Sequence, residues 1–287
     1  MGITLTSTVS IKELNSTRIA RPRHVLMCEP TYFDVCYSIN PWMDPSRPTS
    51  TRAGISQWKK LHDLFVELGH RVDLVPARPG LPDMVFAANG ATVIDGKVLV
   101  ARFRHAQRQG ESAAFAEWFR QQGWGEVRTA GHDNEGEGDI LFTGNEILAG
   151  KGFRTAASAH GEVRSFFDRE VVGLTLVDPR FYHLDTALAV IDTGEVMYYP
   201  DAFDGPSREL LAERFPDSIL ATERDAEVFG LNAFSDGRHV VLPEAATGLA
   251  GQLAERGFEP IGVGLGELLK AGGSVKCCTL ELRRFSS

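Results

Sequence analysis

The order in which helices and strands recur along the chain constrains its fold more than any other feature. Residues 52–68 carry apolar side chains at helical spacing up to Gly69, and the apolar run 72–75 that follows is typical of a buried strand. The same order returns at 112–122 with Val127, 156–168 with 171–177, 207–215 with 219–220, and 245–256 with 261–263. This repetition predicts a fold built from similar α/β units.

A hairpin-like pair of strands lies between successive helix–strand units. The turns contain residues that suit tight hairpins, namely Asp95-Gly96, Gly144-Asn145, Thr193-Gly194 and Asp236-Gly237. A polar or reactive residue opens each repeat at intervals of 50, 46, 47 and 45 residues: Asn89, Asp139, Asp185, Asn232 and Cys277. The repeats share little sequence, so the prediction of five units rests on order and spacing.

Five such units can bury their sheets against one another by arranging themselves radially, which predicts an α/β fold of repeated ββαβ units. The residues that open the hairpins would then converge on a central axis, where a functional site is expected. The alternative is an ordinary α/β sandwich in which helices and strands alternate by chance.

Composition narrows the class of protein. The chain has 287 residues, 43% hydrophobic and 24% charged, which is typical of a soluble globular enzyme. We expect a poorly ordered lead-in over 1–20 and a single domain over 21–287. The net charge of −8 argues against nucleic acid as the main partner. The sequence has neither a leader-like segment nor an apolar run of membrane-spanning length, so we expect no membrane partner and a cytoplasmic location, with oligomeric state left open.

The four cysteines are too few for a disulfide framework, and the absence of a Cys-x-x-Cys motif argues against a structural zinc site. Two of them, Cys277 and Cys278, follow the glycine turn 272–273 and a short segment that reads as the entry to a strand. A thiol placed there can face a pocket, and Lys276 could lower its pKa if the lysine shared its face. The alternative is that both cysteines are core residues.

His183 lies in an apolar segment with a carboxylate two residues later. If 181–186 is a strand, His183 and Asp185 share a face and can enter one pocket, although a buried structural histidine is the alternative. The segment 134–139 places three carboxylates among glycines. Its ligand count does not suit calcium, and carboxylates near a thiol and an imidazole suit a planar cation better than a metal.

Together these residues resemble the guanidino-group-modifying enzymes, which comprise arginine deiminases, dimethylarginine dimethylaminohydrolases, amidinotransferases and arginine dihydrolases. The likeness spans about 24–284 in five segments that stand in the family's order. They are the substrate-loop strand at 82–86, the substrate-binding arginine region at 103–111, a Glu-Gly-Gly-Asp-like motif with one extra residue at 135–139, the histidine motif at 181–186 and the cysteine motif at 272–277. The resemblance implies a pseudo-fivefold α/β propeller and a reaction without metal or organic cofactor.

The resemblance also implies a role for each motif residue. Cys277 would be the nucleophile, His183 the general acid/base, and Glu135 the carboxylate that holds the guanidinium, with Glu137 open as an alternative. Substrate-binding roles fall on Asn40, Asp83, Asn89, Arg108, Arg154 and Asp185, and the two arginines would grip the substrate's α-carboxylate.

Asn89 stands where deiminases and dimethylargininases carry a carboxylate, and the segment around Asn40 resembles the dihydrolases. We therefore predict an arginine dihydrolase that acts on a small-molecule substrate and yields ornithine, carbon dioxide and two ammonia. A dimethylargininase or deiminase that yields citrulline is the alternative. An amidinotransferase, a non-catalytic binding protein and a redox sensor that uses Cys277 and Cys278 are further ones.

Overall fold

The computed structural model describes residues 18–284, so the predicted lead-in over 1–20 lies almost wholly outside the described residues. The strands are β1 (His24–Met27), β2 (Arg71–Leu74), β3 (Ala91–Ile94), β4 (Lys97–Val100), β5 (Glu126–Thr129), β6 (Ile140–Phe142), β7 (Ile147–Lys151), β8 (Val171–Thr175), β9 (Leu188–Asp192), β10 (Glu195–Tyr198), β11 (Ile219–Leu220), β12 (Phe234–Ser235), β13 (His239–Pro243), β14 (Glu259–Val263) and β15 (Leu280–Glu281). The helices are α1 (Thr51–Glu67), α2 (Gln109–Gln121), α3 (Ala157–Phe167), α4 (Leu184–Ala187), α5 (Gly205–Arg214), α6 (Glu223–Glu227), α7 (Thr247–Glu255) and α8 (Gly266–Leu269).

Within residues 18–284 these strands form five three-stranded sheets of one design. In four of them an antiparallel hairpin is followed by a helix and a third strand parallel to the second: β3-β4-β5, β6-β7-β8, β9-β10-β11 and β12-β13-β14. The predicted α/β fold of repeated ββαβ units is therefore confirmed. The propeller arrangement of the units and the single domain over 21–287 stay predictions.

The fifth sheet joins the two ends of the described chain. Strand β15 pairs antiparallel with β1 through Val25–Glu281 and Leu26–Leu280, and β1 pairs parallel with β2 after the α1 crossover. The last repeat therefore contributes its strand to the sheet of the first, which closes the series of repeats.

Helix α1 shows how the sequence directs one of these crossovers. The Ser50 hydroxyl accepts a hydrogen bond from the Ala53 N–H and caps its first turn. Of the apolar stripe, Trp58, Leu61 and Phe65 are buried, and the chain leaves the helix at Gly69, whose φ of +84° suits glycine. Fully burying side chains of this size stabilises a fold by about 1.5–3 kcal/mol each.

Burial differs systematically across the sheets. Middle strands such as β4 are buried on both faces, and Phe115 and Phe119 of α2 belong to the same apolar cluster as Val98 and Val100. The third strands are less buried than the middle ones: β2, β5 and β14 contain no buried residue, and β8 contains three. No helix within residues 18–284 has the length and apolarity to cross a bilayer.

Candidate active site

The five residues that open the repeats, together with residues one to four positions before them, form a closed series of hydrogen bonds, and none of the five is more than 2% exposed. Asn89 Nδ2 donates to Glu135 O (3.4 Å), Leu184 N to Asp139 Oδ1 (3.0 Å), Asn232 Nδ2 to Asp185 O (3.1 Å), Cys277 N to Asn232 Oδ1 (3.1 Å) and Ala88 N to Cys277 O (3.0 Å). Each bond links one repeat to the next, and the last returns to the first. The expected convergence of these residues is confirmed.

Cys277 lies in a turn rather than in the strand that the sequence predicted, because Cys278 N donates to Ser274 O and Thr279 N to Lys276 O before β15 begins. The Cys277 sulphur accepts a hydrogen bond from Asn232 Nδ2 at 3.2 Å and lies 3.5 Å from Asp185 Oδ2. Burial, and then the Asp185 charge, raise the pKa of the Cys277 thiol well above its usual value. Without substrate the sulphur is therefore a neutral thiol at neutral pH.

The predicted placement of His183 in a strand is wrong. His183 precedes the short helix α4 instead of entering a strand, because Asp139 Oδ1 accepts from Leu184 N and Thr186 Oγ1 donates to His183 O. Asp185 nevertheless reaches the thiol, now from a helical turn. His183 Nε2 lies 2.8 Å from Glu135 Oε2, and His183 Nδ1 has no hydrogen-bond partner among the residues that the structure describes.

The two candidate glutamates have different partners. Glu135 Oε2 binds both His183 and Arg154 Nη1, each at 2.8 Å. Burial alone would raise the pKa of Glu135, but Arg154 and His183 outweigh it and lower the pKa, so this carboxylate stays charged. Glu137 instead accepts from Lys276 Nζ at 2.6 Å and from Arg283. Lys276 is thereby turned to Glu137 and supplies no hydrogen bond to the thiol.

Asp185 carries a buried carboxylate with one oxygen unused. Its Oδ2 faces the Cys277 sulphur, whereas Oδ1 has no hydrogen-bond partner within residues 18–284. Burial raises the pKa of Asp185 to about 6, against the opposing effect of His183 and Lys276. An unpaired buried acceptor of this kind suits a cationic ligand with N–H donors.

Arg108 is held by a glutamate that the sequence reasoning did not select. Its Nε and Nη2 donate to the two oxygens of Glu111 at 2.8 Å each, Nη1 donates to Asn89 Oδ1 at 2.8 Å, and Nη2 also reaches Asp83 O at 3.2 Å. Four of the five N–H groups of a guanidinium are thereby engaged. A two-pronged grip of Arg108 on a substrate carboxylate would require some of these bonds to open.

The other predicted substrate-binding residues connect the site to residues 37–43, which we call the covering segment. Arg154 Nη2 donates to Ile39 O at 2.9 Å, and Asn40 Nδ2 donates to Ala271 O at 3.1 Å. Asp83 Oδ2 accepts from the Tyr37 hydroxyl at 2.9 Å. Hydrogen bonds therefore tie the covering segment to Arg154 and Asp83, two of the predicted substrate-binding residues.

The cluster is sealed in this state, since the predicted site residues are at most 8% exposed. A cavity of about 530 Å³ opens elsewhere, between residues that include Arg23, Asp192, Ser235 and Arg283, and its lining contains neither Cys277 nor His183. Within residues 18–284 no group of three or more His, Cys, Asp or Glu side chains is placed to hold a metal ion.

A thiol, an imidazole on a carboxylate and a second unpaired carboxylate meet here in one buried cluster, which suits nucleophilic attack on a cationic carbon centre. Residues 38–284 match the family described as N,N-dimethylarginine dimethylhydrolase, eukaryotic. The chain belongs to this family. As a member of the dimethylarginine dimethylhydrolase family, within the guanidino-group-modifying enzymes, the protein is a hydrolase that acts on C–N bonds of linear amidines.

Relatives of two kinds match the chain. It is 52% identical to an N(G),N(G)-dimethylarginine dimethylaminohydrolase of Mycobacterium tuberculosis, over 92% of this chain and 87% of the relative. It is 41% identical to the bifunctional arginine dihydrolase/ornithine cyclodeaminase ArgZ of Synechocystis sp., over 90% of this chain but only 37% of that larger protein. The crystal structure of the substrate-bound N-terminal domain of ArgZ, an arginine dihydrolase from cyanobacteria, superimposes with a TM-score of 0.87 at 39% identity and covers 91% of this chain and 98% of that domain.

Three buried residues of the cluster, Glu111, Asp139 and Asn232, were not among the predicted site residues. Glu111 carries no local signal, because a glutamate in the first turn of a helix ordinarily faces solvent. Asn232 carried one, since it occupies the repeat position that Asn89, Asp139, Asp185 and Cys277 occupy in the other repeats.

Proposed function

We propose that the protein is an arginine dihydrolase that converts arginine and two waters to ornithine, carbon dioxide and two ammonia. The supporting observation is the orientation of Asn89. Its Oδ1 is occupied by Arg108, and its amide nitrogen, which donates one N–H to Glu135 O at 3.4 Å, keeps a second N–H to meet a substrate. A Cβ atom on Gly138 would lie 2.3 Å from Asn89 Nδ2 and 3.2 Å from the His183 ring, so only glycine lets both groups approach this point.

The first half of the reaction follows from the charges of the cluster. The guanidinium of arginine lies between Glu135 and Asp185, and its positive charge offsets the burial and the Asp185 charge that hold the thiol neutral. The thiol proton passes to Asp185, whose Oδ2 is 3.5 Å from the sulphur. The thiolate then attacks the guanidinium carbon, and protonated His183 donates to the departing nitrogen, which leaves as ammonia.

The second half needs a base and a water. Neutral His183, oriented by Glu135, takes a proton from water, which attacks the amidino-thioether carbon and displaces the Cys277 thiolate to give citrulline. A carboxylate at position 89 would repel the ureido oxygen of citrulline, whereas the Asn89 N–H can donate to it. Retained citrulline undergoes a second attack that expels ammonia, and water then releases a carbamate that decomposes to ornithine and carbon dioxide.

A dimethylarginine dimethylaminohydrolase is the second candidate, favoured by the 52% identity with the M. tuberculosis relative of that name. The first half of the reaction would be unchanged, but dimethylamine would leave instead of ammonia. Citrulline would then be the end product.

The test is incubation of the protein with arginine labelled with ¹³C at the guanidino carbon, with dimethylarginine in a parallel reaction and glycine added to a third. We expect the label to appear as bicarbonate with two ammonia per ornithine. Citrulline as the sole product from arginine, or dimethylamine released much faster than ammonia, would refute the dihydrolase proposal. Transfer of the amidino group to glycine would indicate an amidinotransferase.

A further inference from the structure

Asn232 touches the atom that the proposed reaction uses as nucleophile. Its Nδ2 donates to Cys277 Sγ at 3.2 Å and to Asp185 O at 3.1 Å, and its Oδ1 accepts from Cys277 N at 3.1 Å. The residue is 0% exposed. One amide thus links the histidine repeat to the cysteine turn.

The orientation of this amide is fixed by its partners. The Cys277 backbone N–H can only donate and the Asp185 carbonyl can only accept, so Oδ1 must face the first and Nδ2 the second. Nδ2 therefore presents its remaining hydrogen to the sulphur and not a lone pair.

The backbone three residues before Asn232 has a strained conformation, and it holds Asn232 by a hydrogen bond. Asn232 N donates to Phe229 O at 2.9 Å, and Phe229 has a φ of +60°, in the left-handed region that bulky residues rarely adopt. Phe229 is fully buried and packs edge-on against Trp42 of the covering segment, with ring centroids 4.6 Å apart. Such strain persists where surrounding structure enforces a functional geometry.

We propose that Asn232 is a further catalytic residue, whose amide N–H stabilises the Cys277 thiolate when it forms and again when it departs from the amidino-thioether. This proposal depends on the proposed function in one respect, namely that the Cys277 thiolate is the attacking group. A sealed site gives the thiolate no water, and Asp185 is neutral once it has accepted the thiol proton, so it offers the thiolate no positive charge. A hydrogen bond to the charged form lowers a thiol's pKa, and two groups act on this sulphur in that way: the Ser274 backbone and the Asn232 side chain, whose amide nitrogen lies 3.2 Å from it.

The test compares Asn232→Asp with Asn134→Asp, both in a Cys36→Ser background that removes the exposed thiol. Aspartate at 232 keeps the volume and the acceptor for Cys277 N–H but removes both donors. Asn134 is a matched control, because it is equally buried, its Oδ1 accepts from Gly136 N at 2.9 Å, and its Nδ2 has no partner among the described residues. The measurement is the rate of iodoacetamide labelling of Cys277 against pH, with peptide mapping and circular dichroism.

We expect the labelling midpoint of Cys277 to rise by about one pH unit or more in Asn232→Asp and to stay unchanged in Asn134→Asp. We also expect kcat to fall about 10- to 100-fold while KM changes less than about threefold, since Asn232 contacts the sulphur and not the substrate. An equal midpoint shift in both variants would show a long-range charge effect and overturn the proposal, as would an unshifted midpoint in Asn232→Asp. Should Asn232→Asp fail to fold, Asn232→Ala and Asn232→Ser would serve. We expect a raised midpoint in Asn232→Ala and an intermediate one in Asn232→Ser, which keeps a short donor. A wild-type midpoint in Asn232→Ala would overturn the proposal.

The labelling midpoint separates the two proposals, because it requires no turnover. If the wild-type protein released no product from arginine or dimethylarginine, the proposed function would fail, while the midpoint shift would still decide the Asn232–Cys277 contact.

Discussion

Arg108 donates from Nη1 to Asn89 Oδ1 at 2.8 Å, so the amide oxygen of Asn89 is occupied and its nitrogen is the end that we propose meets the substrate. Because Glu111 holds the same guanidinium by two bonds, the Arg108 position is fixed from the side away from the site. Burial raises the pKa of the Glu111 carboxyl to about 7, although the charge of Arg108 opposes this shift. The orientation of the Asn89 amide is therefore fixed by Arg108 and Glu111.

Asn89→Asp should change the product. A carboxylate there would pair with Arg108, and its second oxygen would replace the N–H that we assign to the ureido oxygen of citrulline. We expect citrulline to accumulate from ¹³C-labelled arginine, with ornithine formation reduced by about tenfold or more, the worth of one hydrogen bond in a buried site. Asn145→Asp, in the exposed turn between β6 and β7, is the matched control and should give the wild-type ratio. An unchanged product ratio in Asn89→Asp would show that this residue does not set the outcome.

Cys277→Ser should abolish turnover, whereas Cys278→Ser should largely retain it. Cys278 is fully buried in the apolar cluster that includes Val275 and Phe234, so its loss affects stability rather than chemistry. A hydroxyl placed there costs about 1–3 kcal/mol of stability, measured as a lower unfolding midpoint. Peptide mapping of the trapped covalent adduct checks the assignment, and an adduct on Cys278 would contradict it.

His183→Ala should let the first covalent step occur but stall its hydrolysis, or lose both steps. The imidazole is oriented by Glu135, and acid/base help by such a group is worth about 10²–10⁴-fold in rate. Stopped-time mass spectrometry of the intact protein will show whether the adduct accumulates. His132→Ala, at an exposed position, is the control and should behave as wild type. Near-normal activity of His183→Ala between pH 6 and 9 would mean a structural histidine.

Asp185→Asn should stabilise the unliganded protein at high pH while it abolishes turnover. The folded-state pKa of about 6 lies above the ordinary 3.8, so the folded protein binds the proton more tightly than the unfolded chain. Ionisation of Asp185 therefore destabilises the folded protein. This destabilisation is absent below about pH 4, grows as pH rises to about 6, and then stays constant. Removing it should raise the free energy of unfolding at pH 8 by on the order of 2–3 kcal/mol and change little at pH 4.

Asp139→Asn is the matched control for that prediction. Both carboxylates are 1% exposed, but the Asp139 oxygens accept from Leu184 N and Thr155 N, so an amide there would turn a donor toward a donor. We expect Asp139→Asn to destabilise the protein at pH 8. The free energies of unfolding are measured by urea unfolding at pH 4 and pH 8. An Asp185→Asn protein less stable than wild type at pH 8 would contradict the prediction.

Local patterns predicted the repeats because each helix, strand and hairpin is encoded by nearby residues. The similar spacing of Asn89, Asp139, Asp185, Asn232 and Cys277 also predicted that these residues lie close together. What failed was geometry that depends on tertiary contacts. The strand expected at 181–186 is replaced by α4, because a hydrogen bond to Asp139, from another repeat, fixes its first turn. The contacts of Arg154 with Ile39 and of Asn40 with Ala271 join segments 115 and 231 residues apart, which no local pattern reveals.

The pairing of β15 with β1 has a consequence for how the protein is made. Each of the four hairpin sheets uses strands that are close in sequence, so each can form as it leaves the ribosome. The fifth sheet must wait for Leu280 and Glu281, and Cys277 is translated only just before them. The nascent chain thus carries His183 for 94 residues (277 − 183) before the proposed nucleophile is added, and that thiol arrives just before the strand that joins the last repeat to the first.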